Sequence, residues 1–139
     1  MRRRHTATLL LAIGLTATVV MAAIGPPGAT PLPKNNIADD TNTNIVVHDP
    51  NTDSYTKLKI TTSSTDKLKI KKIYHWDNYL SRWDDITSTC TYPAGFVDDP
   101  QITLPISTSG SDVFRVDVTT DDGGDANSTV DITEASWST

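Results

Sequence analysis

Short apolar runs that alternate with polar residues are the feature that most limits how this chain can fold. Leucine and isoleucine alternate with lysine in residues 57–60 and again in residues 67–70, and similar alternation occurs in residues 114–118 and 130–132. A period of two places successive side chains on opposite faces of a β-strand. Because turn-forming residues separate these short runs, the pattern predicts half-buried antiparallel strands.

The order of the runs also suggests how they pair. The two lysine-bearing runs are near-copies ten residues apart, which predicts that they form a hairpin. The alternation slips at Lys71 and Lys72, and a β-bulge or the end of the strand would account for the parity of Ile73. A second hairpin is predicted for the last two runs, with its turn at residues 121–125. Residues 77–85 are predicted to form a short helix.

The composition agrees with β structure, since Asp outnumbers Glu 16 to 1 and threonine is abundant. Threonine favours strands, and aspartate favours turns. Further runs at residues 45–47, 86–92 and 102–106 bring the expected total to six or seven short strands. The predicted fold class is therefore all-β, a small antiparallel β-sandwich of immunoglobulin-like architecture over residues 45–139. The alternative is a small open β-barrel.

Residues 1–29 have the layout of an export signal. Three arginines precede an apolar run over residues 7–24, and a Gly-Pro-Pro-Gly break follows it. This segment is predicted to be a signal peptide or, if it is not cleaved, an N-terminal membrane anchor helix. The protein is expected to be secreted or extracytoplasmic, and the alternative is a single-pass membrane protein with its C-terminal domain outside. Residues 30–44 are predicted to be a flexible linker to the β-rich domain.

Six of the seven lysines lie within 16 residues, whereas the whole chain has a net charge of −5. The predicted hairpin would therefore be a basic ribbon on an acidic body, suited to an anionic cell-surface polymer or to self-association. The interpretation that we favour from the sequence is that outward lysines keep an edge hairpin from pairing with other chains. The polymer-binding candidates are Lys57, Lys59, Lys67, Lys69, Lys71 and Lys72.

Aromatic residues concentrate between Tyr74 and Trp83, among acidic residues. A ring beside a carboxylate suits a glycan, because the ring stacks on the sugar and the carboxylate accepts hydrogen bonds from its hydroxyls. Core packing is the interpretation that we favour from the sequence, since the chain has few aliphatic residues. The glycan-binding candidates are Trp76, Tyr79 and Trp83.

A third set of candidates consists of acidic turn residues. Asp121, Asp122 and Asp125 supply hard oxygens at close spacing, as calcium requires, and Asn127 follows them. The spacing matches no EF-hand loop, and turn chemistry explains these aspartates equally well. Calcium is therefore a candidate ligand of these residues, and no other cofactor is expected.

Cys90 is the only cysteine, so the chain cannot form an intrachain disulfide. We expect a small inward-facing side chain at this position, and a disulfide between two chains is the alternative. Asn127 begins the only Asn-X-Ser/Thr sequence, which is an acceptor if the host glycosylates.

No sequence motif names a reaction, since His48 and His75 show no metal-ligand spacing and no serine lies in a nucleophile elbow. We predict an exported small β-domain with a non-catalytic binding or surface-structural role. Its partner would be an anionic polymer, a glycan or another copy of the chain, and no nucleic acid is expected. The alternative is a small extracytoplasmic enzyme that uses aspartates near the aromatic segment, drawn from Asp77, Asp84 and Asp85.

Overall fold

Strands form where most of the alternating runs occur, and the described part of the chain is all-β. A computed structural model describes residues 32–50, 53–110, 112–124 and 129–139. The one helical element in these residues is a 3-10 turn, Thr87–Thr89, and none of their helices is long and apolar enough to cross a membrane. The strands are β1 (Lys34–Ala38), β2 (Asn42–His48), β3 (Lys57–Thr62), β4 (Lys67–Asp77), β5 (Arg82–Asp85), β6 (Phe96–Val97), β7 (Gln101–Thr103), β8 (Val113–Asp121) and β9 (Thr129–Ser138).

The strands form two antiparallel sheets that share one core. The four-stranded sheet has the order β1-β9-β3-β7. The five-stranded sheet has the order β2-β8-β4-β5, and β6 also pairs with β4. The two sheets are not closed into a barrel. This arrangement confirms the prediction of an all-β, sandwich-like fold.

The inward-facing positions predicted from the alternation build the core. Leu58 and Ile60 of β3 are fully buried, and so is Leu68 of β4. Fourteen buried residues from both sheets form one cluster, and all of them except Phe114 are aliphatic. None of the three tryptophans belongs to this buried cluster, although Trp137 packs against it. Aliphatic side chains therefore supply almost the whole core.

Both predicted hairpins are wrong, because each pair of runs is divided between the two sheets. β3 belongs to the four-stranded sheet and β4 to the five-stranded sheet, and β9 and β8 are divided in the same way. A turn closed by a 2.8 Å hydrogen bond from Asp66 N to Ser63 O carries the chain from β3 to β4. Alternation determines which side chains of a strand are buried, but it does not determine which strand lies beside it.

The segment predicted as a helix, residues 77–85, is the turn and second strand of a β-hairpin. β4 continues to Asp77, whose carboxylate accepts hydrogen bonds from the backbone N–H groups of Tyr79 (2.8 Å) and Leu80 (2.9 Å). Aspartate caps helices and turns through the same contact, so the sequence did not distinguish the two. Residues 86–92, predicted as a strand, instead contain the 3-10 turn.

Strands also occupy part of the predicted linker at residues 30–44. β1 pairs with β9, and β2 pairs with β8 from Asn42 onward. Both are the outermost strands of their sheets, and β1 contributes only Ile37 to the packing against the core. An edge strand of this kind needs few apolar residues, which is why the composition resembled that of a linker. The predicted export segment, residues 1–29, lies outside the described residues.

The slip in the alternation of β4 is a β-bulge. The pairing of β4 with β8 shifts its register between Ile70 and Lys72, so that Lys71 is an extra residue without an opposite partner in β8. As a result, Ile70 and Ile73 are both buried, while the two lysines between them are both exposed.

Candidate functional site

The six lysine candidates do not form one surface. Lys57 and Lys59 of β3 lie on the outer face of the four-stranded sheet, because Leu58 between them points into the core. The remaining candidates belong to β4 and lie on the outer face of the five-stranded sheet, on the other side of the sandwich. The predicted basic ribbon is therefore wrong, and the lysines that stay together are Lys67, Lys69, Lys71 and Lys72.

Two of the glycan-binding candidates, Trp76 and Trp83, are neighbours on the outer face of the five-stranded sheet. They are cross-strand partners on β4 and β5, and their ring centroids lie 5.2 Å apart at an interplanar angle of 68°. Tyr74 lies two residues before Trp76 on β4 and shares its face. All three rings are partly exposed, and none belongs to the core cluster or packs against it. Core packing is therefore wrong for these three residues, which we call the aromatic face.

The third glycan-binding candidate, Tyr79, lies at the tip of the β4–β5 hairpin. Its side chain is 92% exposed, and the neighbouring Leu80 is 50% exposed. The tip follows directly after the end of β4, and Tyr79 lies three residues after Trp76 in the sequence. Within the described residues its ring does not pack against those of the aromatic face.

Arg115 of β8 links the aromatic face to the charged groups beside it. Its guanidinium carbon lies 4.2 Å from the ring centroid of its cross-strand partner Tyr74 and 5.6 Å from that of Trp83. A guanidinium is attracted to an aromatic face at such distances. Its Nε and Nη2 donate hydrogen bonds of 2.9 and 3.2 Å to the two carboxylate oxygens of Asp117. These contacts hold Arg115 in one orientation.

Asp85 bounds the other side of the aromatic face, opposite Tyr74. Its Oδ1 accepts hydrogen bonds from the Thr87 hydroxyl (2.6 Å) and backbone N–H (2.9 Å), and its Oδ2 lies 3.3 Å from Lys72 Nζ. The hydrogen bonds from Thr87, assisted by Lys72, lower the pKa of Asp85 to about 2. A charged carboxylate is therefore present beside the rings at neutral pH.

A shallow groove of about 360 Å³ runs across β2, β8 and β4 next to the aromatic face. Arg115 lines the groove and also lies against Tyr74 of the aromatic face, so the groove and the face form one continuous surface. The Thr119 hydroxyl donates a 2.7 Å hydrogen bond to Asn42 Oδ1 and so orients that amide. We call the charged and amide residues that line this surface the cationic groove: Asn42, Asn44, Lys71, Lys72, Arg115 and Asp117.

Sequence reasoning missed Arg115 and Asp117. They are distant in sequence from the aromatic segment, and only the pairing of β8 with β4 brings them beside it. One available signal was parity: Phe114 and Val116 alternate with Arg115, so a buried Phe114 implies an outward arginine.

The aspartates considered for catalysis make local contacts in the β4–β5 hairpin. Asp77 caps its turn, and Asp84 accepts a 2.8 Å hydrogen bond from Arg82 Nε. Asp85 is held by Thr87 as described above. These contacts give each carboxylate a structural role and do not support the enzyme alternative, which stays a prediction.

Two of the calcium candidates, Asp121 and Asp122, lie beside Asp39, whereas Asp125 lies outside the described residues. One oxygen of each of the three neighbouring carboxylates lies within 4.8 Å of the others. Each carboxylate also accepts a hydrogen bond of 2.8 to 2.9 Å from a backbone N–H after β8. These contacts are typical of turns, and calcium binding stays a prediction.

Cys90 is half-buried and packs against the core. Burial raises the pKa of its thiol to about 11, so little thiolate is present at neutral pH. This environment favours the expected inward-facing side chain. The glycosylation acceptor Asn127 lies outside the described residues.

Comparison of the chain with protein-family models, with curated proteins and with solved structures found no match.

Proposed function

We propose that this protein is an exported, non-catalytic sandwich domain, immunoglobulin-like in architecture, that binds a glycan through the aromatic face. One observation carries the proposal: Tyr74, Trp76 and Trp83 lie together on an outer sheet face and not in the core. Large aromatic side chains are favoured in interiors because their burial removes much apolar surface from water. Three of them grouped on one exposed face indicate a surface that a partner covers.

A sugar presents apolar C–H groups and polar hydroxyls, and this surface offers partners for both. The indole rings of Trp76 and Trp83 provide flat apolar area. The charged Asp85 accepts hydrogen bonds from hydroxyls, while Arg115 donates hydrogen bonds to oxygens. Rings with hydrogen-bonding groups at their margin match a saccharide better than they match a wholly apolar ligand.

The aromatic face is held in one arrangement by its own contacts. Trp76 and Trp83 pack edge to face across paired strands, and Arg115 lies between Tyr74 and Asp117. Side chains that are already fixed lose little conformational entropy when a ligand binds. The surface is open and its groove is shallow, which favours a polymer lying across the sheet over a small molecule enclosed in a pocket.

The export segment predicted at residues 1–29 is consistent with this function. It would deliver the domain outside the cytoplasm, either free or held to the membrane through residues 7–24. Both states would expose the aromatic face to extracellular glycans.

Affinity electrophoresis of the purified protein through gels that contain neutral or acidic polysaccharides tests the proposal. We expect the parent to be retarded by at least one glycan and the variant Trp76→Ala/Trp83→Ala to lose about tenfold or more in affinity, about 1.4 kcal/mol. Ile106→Ala is the control, because Ile106 is an apolar residue that is 62% exposed outside the face. Circular dichroism and the unfolding midpoint verify that each variant is folded.

Retardation of the folded double variant equal to that of the parent would contradict the proposal. Tyr79→Ala gives a second test that carries little risk of unfolding, since this side chain is 92% exposed. A parent that no glycan retards, but that forms oligomers dependent on Trp76 and Trp83, would instead identify the face as a self-association surface.

A further inference from the structure

Resting on the glycan-binding function proposed above, we propose that the ligand is an acidic polysaccharide whose sugar carboxylates bind in the cationic groove. The groove adjoins the aromatic face through Arg115, which lies against the ring of Tyr74. From Lys72 to Trp76 the surface extends about 14 Å along β4, at about 3.4 Å per residue. That length fits several linked sugar units rather than a single one.

The ionisable groups of the groove give it a positive excess. Lys71, Lys72 and Arg115 face two carboxylates: Asp117 accepts two hydrogen bonds from Arg115, and Asp85 lies 3.3 Å from Lys72 Nζ, which leaves an excess of one positive charge. Lys71 makes no ion pair with an acidic residue in the described part of the chain. The whole chain has a net charge of −5, so this excess is a local property. A groove lined by one sign of charge concentrates the opposite ion.

The bulge in β4 creates this excess. In a regular strand, one of two consecutive lysines would point into the core. The register shift places both Lys71 and Lys72 at the groove, while Ile70 and Ile73 on either side of them stay buried. Bulges re-aim side chains beside binding sites. If these lysines served only solubility, the regular alternation that the same strand shows at Lys67 and Lys69 would be enough, and no bulge would be needed.

The polar groups of the groove are mainly hydrogen-bond donors. Ammonium and guanidinium groups donate only, and Asn42, whose Oδ1 already accepts a hydrogen bond from the Thr119 hydroxyl, offers two N–H donors. An ionised carboxylate on a sugar accepts only, whereas a hydroxyl both donates and accepts. The donor excess therefore favours acidic sugar units over neutral ones.

Polygalacturonate and its fully methyl-esterified form are a suitable pair of probes, because they share a sugar backbone and differ in charge. We expect the full-length protein to bind polygalacturonate at least tenfold more tightly than the ester, with an affinity that falls as salt rises. Lys71→Ser/Lys72→Ser should abolish this preference. Lys57→Ser/Lys59→Ser is the matched control, because it removes the same charge from the opposite outer face and should bind as the parent does.

The arms of this experiment separate the two proposals. Equal affinity for polygalacturonate and its ester, or a Lys71→Ser/Lys72→Ser variant that keeps the preference, overturns the acidic ligand while the glycan-binding function stands. If the folded variant Trp76→Ala/Trp83→Ala binds polygalacturonate as well as the parent, the glycan-binding function itself fails. Inorganic polyphosphate is the third probe. Binding of polyphosphate as tight as that of polygalacturonate, and independent of the tryptophans, would show a surface for polyanions in general and overturn the inference.

Discussion

Deleting one lysine of the Lys71-Lys72 pair should leave the fold intact, although the deletion falls in the middle of an interior strand. The register of β4 against β8 is regular on both sides of the bulge, so removing the extra residue joins two stretches that already agree. Every inward-facing apolar residue of β4 keeps its place, and one exposed side chain is lost. The free energy of unfolding should therefore change by about 1 kcal/mol or less, as for other surface changes.

Deletion of Lys69 is the matched control, since it removes the same residue type from the same strand. Here the register is regular, so the deletion forces either Leu68 or Ile70 to the outer face or brings a lysine into the core. Leu68 is fully buried, and Ile70 is 6% exposed. Losing the burial and packing of one such side chain should cost about 3–5 kcal/mol, a large part of the stability of a domain of this size.

Urea denaturation followed by tryptophan fluorescence measures both effects. We expect a midpoint near that of the parent for the first deletion and a much lower midpoint for the second. Equal losses would refute the assignment of Lys71 as the bulge residue and the explanation of why two adjacent lysines share the groove. The first deletion should also weaken binding of polygalacturonate, because it removes one of the three groove cations.

Three further predictions concern stability and reactivity. Gly123→Ala should lower the free energy of unfolding by about 2–4 kcal/mol, because Gly123 has φ +70° and a Cβ there would lie 2.3 Å from the backbone oxygen of Thr65. Gly124→Ala should lower it by about 1 kcal/mol, since Gly124 has φ +85° but open space where a Cβ would lie. Thermal unfolding of the two variants measures the difference. Burial opposes ionisation of Asp112, but hydrogen bonds from Ser109 and His75 outweigh it and lower its pKa, so its contribution to stability is present above its ordinary pKa of 3.8 and is lost as the pH falls below it. In the variant Asp112→Asn, the free energy of unfolding measured by urea titration should fall less steeply as the pH is lowered through this range. A fall as steep as that of the parent would argue against the Asp112–His75 pair. Cys90 should react with a thiol reagent at neutral pH about tenfold or more slowly in the folded protein than in urea, and equal rates would contradict its burial.

The sequence predicted the strands and their buried faces well because alternation is a local property. Leu58, Ile60 and Leu68 occupy the core as their parity required, and the slip after Ile70 is a bulge. Which sheet each strand joins depends on contacts between segments far apart in sequence. For that reason neither predicted hairpin formed, although both pairs of runs alternate cleanly.

The candidate site was predicted only in part for the same reason. Trp76 and Trp83 were recognised as glycan-binding candidates, but composition favoured placing them in the core. The aliphatic residues of both sheets proved sufficient to fill it. Arg115 reaches the aromatic face only through the pairing of β8 with β4, which no local pattern specifies.

The indole N–H signals of the three tryptophans in a ¹H–¹⁵N NMR titration give the most direct test of the central claim. Trp76 and Trp83 lie on the aromatic face, whereas Trp137 donates its indole N–H to His48 O at 3.2 Å on another part of the surface. On addition of an oligogalacturonate, we expect the signals of Trp76 and Trp83 to shift or broaden while that of Trp137 stays in place. A shift confined to Trp137, or no shift of any indole signal at saturating ligand, would contradict it.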